Sequence, residues 1–238
     1  MASSTYRAML RLPRLYAIVD AGFFSSVSEL VAFVEGLAAG GSSLVQYRNK
    51  SGNARVMLEH ARELRRLFPQ SQNPRFRQKQ QELGRPVLDT SPGVGHSVRL
   101  IMNDRADLCL VAEFDGVHVG QDDLSPESVR RIIGPDRWLG VSTHNPLQLR
   151  AGDLTSADYL AIGPVFATSS KEKPDPVVGL EGVRLARSLT QKPLVAIGGI
   201  TRANAASVIE AGADSVAVIS DLLPDARKSA EEFFRILR

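Results

Sequence analysis

Short apolar runs alternate with longer amphipathic stretches along the chain, and the alternation repeats eight times. The runs are Leu15–Val19, Leu44–Arg48, Arg99–Asn103, Gly116–Val119, Trp138–Ser142, Tyr159–Gly163, Pro193–Ile197 and Ser215–Ile219. Most are continuously apolar in the middle, which predicts strands buried on both faces. The stretches between them carry helix signals. Ser25 to Ser28 open one that ends at Gly40 and Gly41. Another has Ser125 as its N-cap, Pro126 at the first helical position and Glu127 in the first turn, and stops at Gly134–Pro135. A later helix opens at Thr201 and closes before Gly212, and the last begins near Pro224. Eight β units each followed by an α unit predict an α/β fold, a single (β/α)8 TIM barrel spanning residues 1–238. The competing open doubly wound sheet commonly carries a G-x-G-x-x-G turn after its first strand; here Asp20–Ala21–Gly22–Phe23 follows Val19.

Two segments stand outside that rhythm. Residues 1–14 read as a loosely ordered N-terminal arm, without a continuous apolar core and cleavage site. Residues 68–98, rich in Pro, Gln, Ser and Arg, form an insertion between the second helix and third strand, far longer than the usual 2–6 residues. Its centre, residues 75–84, is compatible with a short helix ending at Gly84, and the whole reads as a surface excursion or a contact for a partner subunit.

Composition narrows the function. The 238 residues are 43% hydrophobic and 23% charged, enough apolar material for a sizeable core. A net charge of 29 − 26 = +3 and 6% aromatics give little support to nucleic-acid binding, though a few well-placed cations suffice for small phosphorylated molecules. Cys109 is the only cysteine, so a disulfide scaffold is excluded, and it reads as a buried structural thiol. No apolar run suggests a membrane span, and a cytoplasmic setting is expected.

In a barrel, the C-terminal ends of the strands share one mouth. That rule collects Gln46, Arg48 and Lys50 on alternate positions, then Asn103, Asp104 and Arg105, then Gln121, Asp122 and Asp123. It adds Ser142–Thr143–His144, Thr168 to Lys171, Gly198–Gly199 and Ile219–Ser220. The glycine pair leading toward a helix, with Ser220 after the last strand, suits a phosphate. Asp104, Asp122 and Asp123 facing Lys50 and Lys171 suggest Mg²⁺ bridging to phosphate oxygens. Taken singly, each acid reads equally as a solvated loop residue or a helix cap. His118 is either an acid–base group or a satisfied interior side chain, and His144 either borders the site or does not.

The ordered set YAIVD, LVQYRNK, IMNDRADL, DGVHVGQDDL, LGVSTH, YLAIGPVFATSSK, AIGGIT and AGADSVAVIS resembles the successive motifs of the thiamine-phosphate synthase family. It covers nearly the whole chain apart from the arm and residues 68–98. The resemblance implies condensation of a hydroxymethylpyrimidine diphosphate with a thiazole phosphate, releasing pyrophosphate, with Mg²⁺ as cofactor. It implies pyrimidine-diphosphate contacts from Gln46, Tyr47, Arg48, Asn49 and Lys50, with Tyr47 and Asn49 replacing the commoner Leu and Glu. Asn103 and Lys171 match further diphosphate contacts, and Asp104 and Asp123 the metal ligands. Ser142 matches the serine near the pyrimidine. Thr168, Ser169 and Ser170 match the thiazole-phosphate loop, and Gly199, Ile219 and Ser220 its phosphate cradle. Lys50, Ser142 and Lys171 are the catalytic expectations. The resemblance implies small-molecule substrates, no nucleic acid or membrane partner, and a homo-oligomer. A related thiazole tautomerase would need neither diphosphate nor metal apparatus, and a ligand-sensing barrel would have no reason to keep the cation–carboxylate set.

Overall fold

Eight parallel strands pair in sequence order and the last returns to the first, closing a barrel. They are β1 (Leu15–Asp20), β2 (Leu44–Arg48), β3 (Arg99–Asn103), β4 (Gly116–Val119), β5 (Trp138–Thr143), β6 (Tyr159–Ile162), β7 (Leu194–Ile197) and β8 (Ser215–Val218). The helices around them are α1 (Val27–Ala39), α2 (Ala54–Leu67), α3 (Ala106–Val111), α4 (Pro126–Ile133), α5 (Pro146–Asp153), α6 (Gly179–Leu189), α7 (Ala205–Glu210) and α8 (Ala226–Ile236). This computed structural model describes residues 10–69, 98–168 and 175–238. Residues 1–9 of the arm and residues 70–97 of the insertion, including the helix expected within 75–84, lie outside the described residues. No helix among the described residues is long and apolar enough to cross a membrane.

Period-two alternation sorts the strand residues into two cores. Ala17, Val19, Val45 and Tyr47 face outward into the layer between sheet and helices, where Leu30, Val34, Met57 and Phe233 meet them. Tyr16, Ile18, Leu44, Ile101, Tyr159 and Val195 fill the barrel itself. Leu10 and Leu12 pack against that interior cluster, and Val216 N–H donates to the Arg14 carbonyl at 2.8 Å. Residues 10–14 of the expected loose arm are therefore docked, because they carry apolar side chains that cover the interior.

One arrangement at the N-terminal ends of the strands occurs three times. Asp115, immediately before β4, accepts Leu100 N–H of β3 at 2.8 Å and Arg65 of α2 at 2.8 Å. Asp158, before β6, does the same with Leu139 N–H of β5 at 2.8 Å and Arg130 of α4 at 2.6 Å. Asp214, before β8, takes Leu194 N–H of β7 at 2.8 Å and Arg187 of α6 at 2.8 Å. Each carboxylate satisfies an N–H at a strand start and fixes the preceding helix by a charge-assisted bond. These clamps lie opposite the mouth, where a barrel's residues serve stability.

Helix ends follow the expected chemistry with one displacement. Ser26 and Ser125 cap α1 and α4 through their side chains, and Gly134, at φ +75°, ends α4. The helix expected from Thr201 starts at Ala205 instead. Asn204 Oδ1 accepts Thr201 N–H at 2.8 Å and its Nδ2 donates to the Gly199 carbonyl at 3.0 Å, holding the intervening residues in a turn.

Candidate active site

The mouth begins with charges on neighbouring strand ends. Lys50 Nζ donates to Asp104 Oδ2 at 2.5 Å, with the lysine side chain 57% exposed. Asp104 has φ +61°, the left-handed region that a non-glycine residue seldom adopts. The turn is pinned where Asp104 N–H donates to the His118 carbonyl at 2.8 Å and Arg105 N–H to Asn103 at 2.7 Å. Asp123, after β4, accepts Gly120 N–H at 2.7 Å. Partial burial, and then the Asp104 carboxylate in hydrogen-bonding contact, raise Asp123 above the usual carboxylate range. Two carboxylates and an ammonium thus meet at the ends of β2, β3 and β4. Asp122 is exposed in the same loop. Arg48 pairs with Asp20 at the end of β1.

Beneath these charges lies a chain of buried hydrogen bonds. Gln46, 3% exposed, donates through Nε2 to Tyr16 Oη at 2.9 Å. Tyr16 Oη lies 2.9 Å from Tyr159 Oη, which lies 3.1 Å from His118 Nδ1. His118 Nε2 reaches Ser142 Oγ at 2.8 Å. Burial pushes the imidazole down to about 4, so it is neutral, and burial raises both phenols. His118 is therefore a satisfied interior side chain. Gln121 Nε2 also donates to the Ser142 carbonyl at 2.6 Å, tying the β4 loop to the end of β5. Asn103, 8% exposed, completes this level at the end of β3.

On the β7–β8 side, Gly198 and Gly199 take φ +100° and +63°. A Cβ on Gly199 would stand 2.5 Å from the Ala167 carbonyl oxygen, so the β6 and β7 loops touch backbone to backbone. Arg202 joins this turn to the β8 loop through Asp221, at 3.0 Å, and to Glu232 of α8. Ile219 and Ser220 follow β8, and Thr168 is half-buried in the β6 loop. Ser169, Ser170 and Lys171 lie outside the described residues.

Strand alternation turns two expected contacts away from the mouth. Tyr47 is fully buried on the outer face of β2, its hydroxyl 3.0 Å from His60 Nδ1 of α2. Burial pushes its phenol up to about 12. Asn49 has the same parity, donates to the Tyr47 hydroxyl at 3.1 Å and accepts Ser51 N–H at 2.8 Å. Both side chains brace the β2 loop, so neither reaches the substrate side. His144 Nδ1 donates to the Gly163 carbonyl at 2.6 Å and lies 3.5 Å from the Asp175 carboxylate, joining the ends of β5 and β6. Sequence reasoning placed Gln121 at the mouth but missed Tyr16, Tyr159 and Asp20. The inward parity of Tyr16 with Ile18, and of Tyr159 with Ala161, was the available signal. A shallow groove of about 460 Å³ beside Gly40, Gly41 and Phe234 contains none of these residues.

The thiamine monophosphate synthase family model matches residues 77–222. A thiamine-phosphate synthase of Koribacter versatilis (strain Ellin345) is 55% identical over 231 residues, 96% of this chain and 97% of that protein. One of Chloroflexus aurantiacus is 41% identical, covering 87% and 83% of the two chains. The solved thiamine phosphate pyrophosphorylase from Pyrococcus furiosus superposes with a TM-score of 0.73 at 28% identity, covering 94% and 95%. With a family model over residues 77–222 and relatives of this identity matched along most of their length, the chain belongs to the thiamine-phosphate synthase family, transferases of thiamine biosynthesis.

Proposed function

We propose that the mouth condenses 4-amino-2-methyl-5-hydroxymethylpyrimidine diphosphate with 4-methyl-5-(2-phosphooxyethyl)thiazole, giving thiamine phosphate and pyrophosphate. The layering of the mouth carries this reading. Gln46 and Ser142 offer a flat polar ring hydrogen bonds at depth, and the Lys50–Asp104–Asp123 cluster stands above them for a diphosphate. The Gly198–Gly199 turn and Ser220 offer a second anion backbone and hydroxyl donors. Hard carboxylate oxygens suit Mg²⁺, which usually takes one or two of them and leaves its other positions to water and phosphate. Asp104 and Asp123, held in contact at a cost to Asp123, fit that demand. When bound, Mg²⁺ would neutralise diphosphate oxygens and so favour their departure.

The substitution is dissociative. The bond between the pyrimidine methylene and the diphosphate oxygen breaks first, and its electron pair leaves with pyrophosphate. The ring's amino group donates electron density to the resulting cation, and the thiazole nitrogen captures it. Lys50 and Arg48 stabilise the departing charge, and Lys171 joins them on the strength of its sequence motif. Gln46 and Ser142 orient the ring, while Thr168, Ser169, Ser170, Gly199, Ile219 and Ser220 hold the thiazole phosphate. No protein nucleophile is required. We also assign the enzyme to the cytoplasm.

A pyrophosphate-release assay tests the reading. Release is expected only with both substrates and Mg²⁺ together, and EDTA should abolish it. No release under those conditions would overturn the substrate assignment, and full activity in EDTA would overturn the metal role of Asp104 and Asp123.

A further inference from the structure

The buried chain Gln46–Tyr16–Tyr159–His118–Ser142 joins the two groups assigned above to the pyrimidine ring, and Tyr16, Tyr159 and His118 each find both of their side-chain partners within it. We propose that Tyr16, Tyr159 and His118 are positioning residues forming one hydrogen-bonded wire, which makes the free ends of Gln46 and Ser142 complementary to an aminopyrimidine. This inference rests on the pyrimidine reading of the mouth.

Proton counting carries the argument. Each phenol has one proton, each is 1% exposed or less, and each has two partners in the chain. A buried phenol must therefore accept on one side and donate on the other, or leave its proton unsatisfied. Both imidazole nitrogens are engaged, and a ring that accepts the Tyr159 proton at Nδ1 carries its own proton at Nε2 and donates there. All the bonds consequently run in one sense, and that sense is set by which end of the Gln46 amide faces Tyr16.

In the structure it is Nε2. Tyr16 then donates to Tyr159, Tyr159 to His118 Nδ1, and His118 Nε2–H to Ser142 Oγ. Two groups are left to face the substrate: the Gln46 carbonyl as an acceptor, and the Ser142 hydroxyl proton as a donor. An aminopyrimidine presents the converse pair, an amine N–H beside a ring nitrogen lone pair. The 4-oxo analogue presents a carbonyl beside a ring N–H. To greet that analogue the Gln46 amide must flip, and every proton in the wire must reverse with it.

The barrel is shaped around this wire. A Cβ on Gly140 would stand 2.1 Å from Tyr159 Cζ and 2.4 Å from His118 Nδ1, so β5 carries a glycine where the two rings meet. Their centroids are 5.6 Å apart, and those of Tyr16 and Tyr159 are 6.1 Å apart in an edge-to-face arrangement.

The test measures dissociation constants of the aminopyrimidine diphosphate and its 4-oxo analogue, with Mg²⁺, for wild type, Tyr16→Phe and Tyr159→Phe. Wild type should prefer the amine by about tenfold or more, the scale of one mispaired buried hydrogen bond. Either phenylalanine cuts the wire while leaving Gln46 and Ser142 in place. The preference should then shrink to about threefold or less, with the thiazole phosphate KM within about twofold. Unchanged preference in both variants overturns the wire; wild type that binds neither diphosphate overturns the pyrimidine reading as well. A measurement on wild type alone covers the case of unstable variants. The ¹⁵N spectrum of the substrate complex should show His118 protonated at Nε2, and a proton on Nδ1 would overturn the proposal.

Discussion

Replacing Asp123 with asparagine should leave the metal-free protein more stable and far less active. The substitution removes one charge from a pair of carboxylates in contact, and the asparagine oxygen can still accept Gly120 N–H. At about 4 Å two unit charges repel by about 1 kcal/mol in water and about 4 kcal/mol at an effective dielectric of ~20. Asp123 is only partly covered and stays open to solvent, and Lys50 already lies 2.5 Å from Asp104, so screening favours the lower figure, about 1 kcal/mol. For a chain of 238 residues that raises the unfolding midpoint by about 2–4 °C. The pH dependence has a definite sign. A carboxyl whose pKa rises on folding is penalised when ionised; the penalty is absent below its unfolded value and complete above its folded one. The advantage of Asp123→Asn should thus be present at neutral pH, decline as the pH falls through the raised carboxyl pKa, and vanish below about pH 4. Thermal unfolding of both proteins in EDTA across that range is the assay, with kcat expected to fall by about 10²–10³ when Mg²⁺ is restored. A variant less stable than wild type at neutral pH, or a gain that persists in acid, would refute the reasoning.

Gly199→Ala should cost about 2–4 kcal/mol and raise the KM for thiazole phosphate, since the new methyl adds positive-φ strain to its clash with the Ala167 carbonyl; a wild-type urea midpoint would contradict the close approach. Asp158→Ala leaves the Leu139 N–H without its acceptor and Arg130 without its counter-charge, though the Gly134, Arg137 and Ser156 carbonyls still hold the guanidinium, so stability should drop by about 2–4 kcal/mol while kcat/KM of the folded protein stays within about twofold. Burial pushes the Cys109 thiol up to about 12, so thiol reagents should label it at the rate of unfolding; rapid labelling of the native protein would disprove its burial. Replacing residues 70–96 with a short Gly/Ser linker should leave kcat/KM within about threefold, because the flanking α2 and β3 meet at the face opposite the mouth; a hundredfold loss in a folded variant would place the segment at the site.

The strands were readable because burial on both faces demands continuous apolar runs, which loops and amphipathic helices do not imitate. The mouth was readable in part. Lys50, Asp104 and Asp123 follow from strand ends alone, since three adjacent β strands must bring their C-terminal residues together. Tyr47 and Asn49 misled because a contiguous motif ignores alternation: within QYRNK, every second side chain leaves the mouth for α2. The wire was hidden for another reason. Tyr16 and Tyr159 are 143 residues apart, and a tyrosine in an apolar strand looks like packing until its hydroxyl is placed. The recurrent Asp before β4, β6 and β8 was visible as DGV, DYL and DSV. Its meaning required knowing that each faces an arginine from the helix before the neighbouring strand.

The pairing of β8 with β1 has a consequence for how the chain is made. Leu15, Tyr16 and Ala17 take their partners from Val216, Ala217 and Val218, and Arg14 is held by Val216 N–H. A ribosome must therefore deliver the chain as far as Val218, some 200 residues on, before the first strand gains its second neighbour. Until then any nascent sheet exposes an unpaired edge, and the Tyr16–Tyr159 interior lacks its last wall. Contacts of such sequence separation also slow folding, since loop closure precedes their reward. A chain released before Ser215 would present two open parallel edges to its neighbours, and its expected fate is self-association.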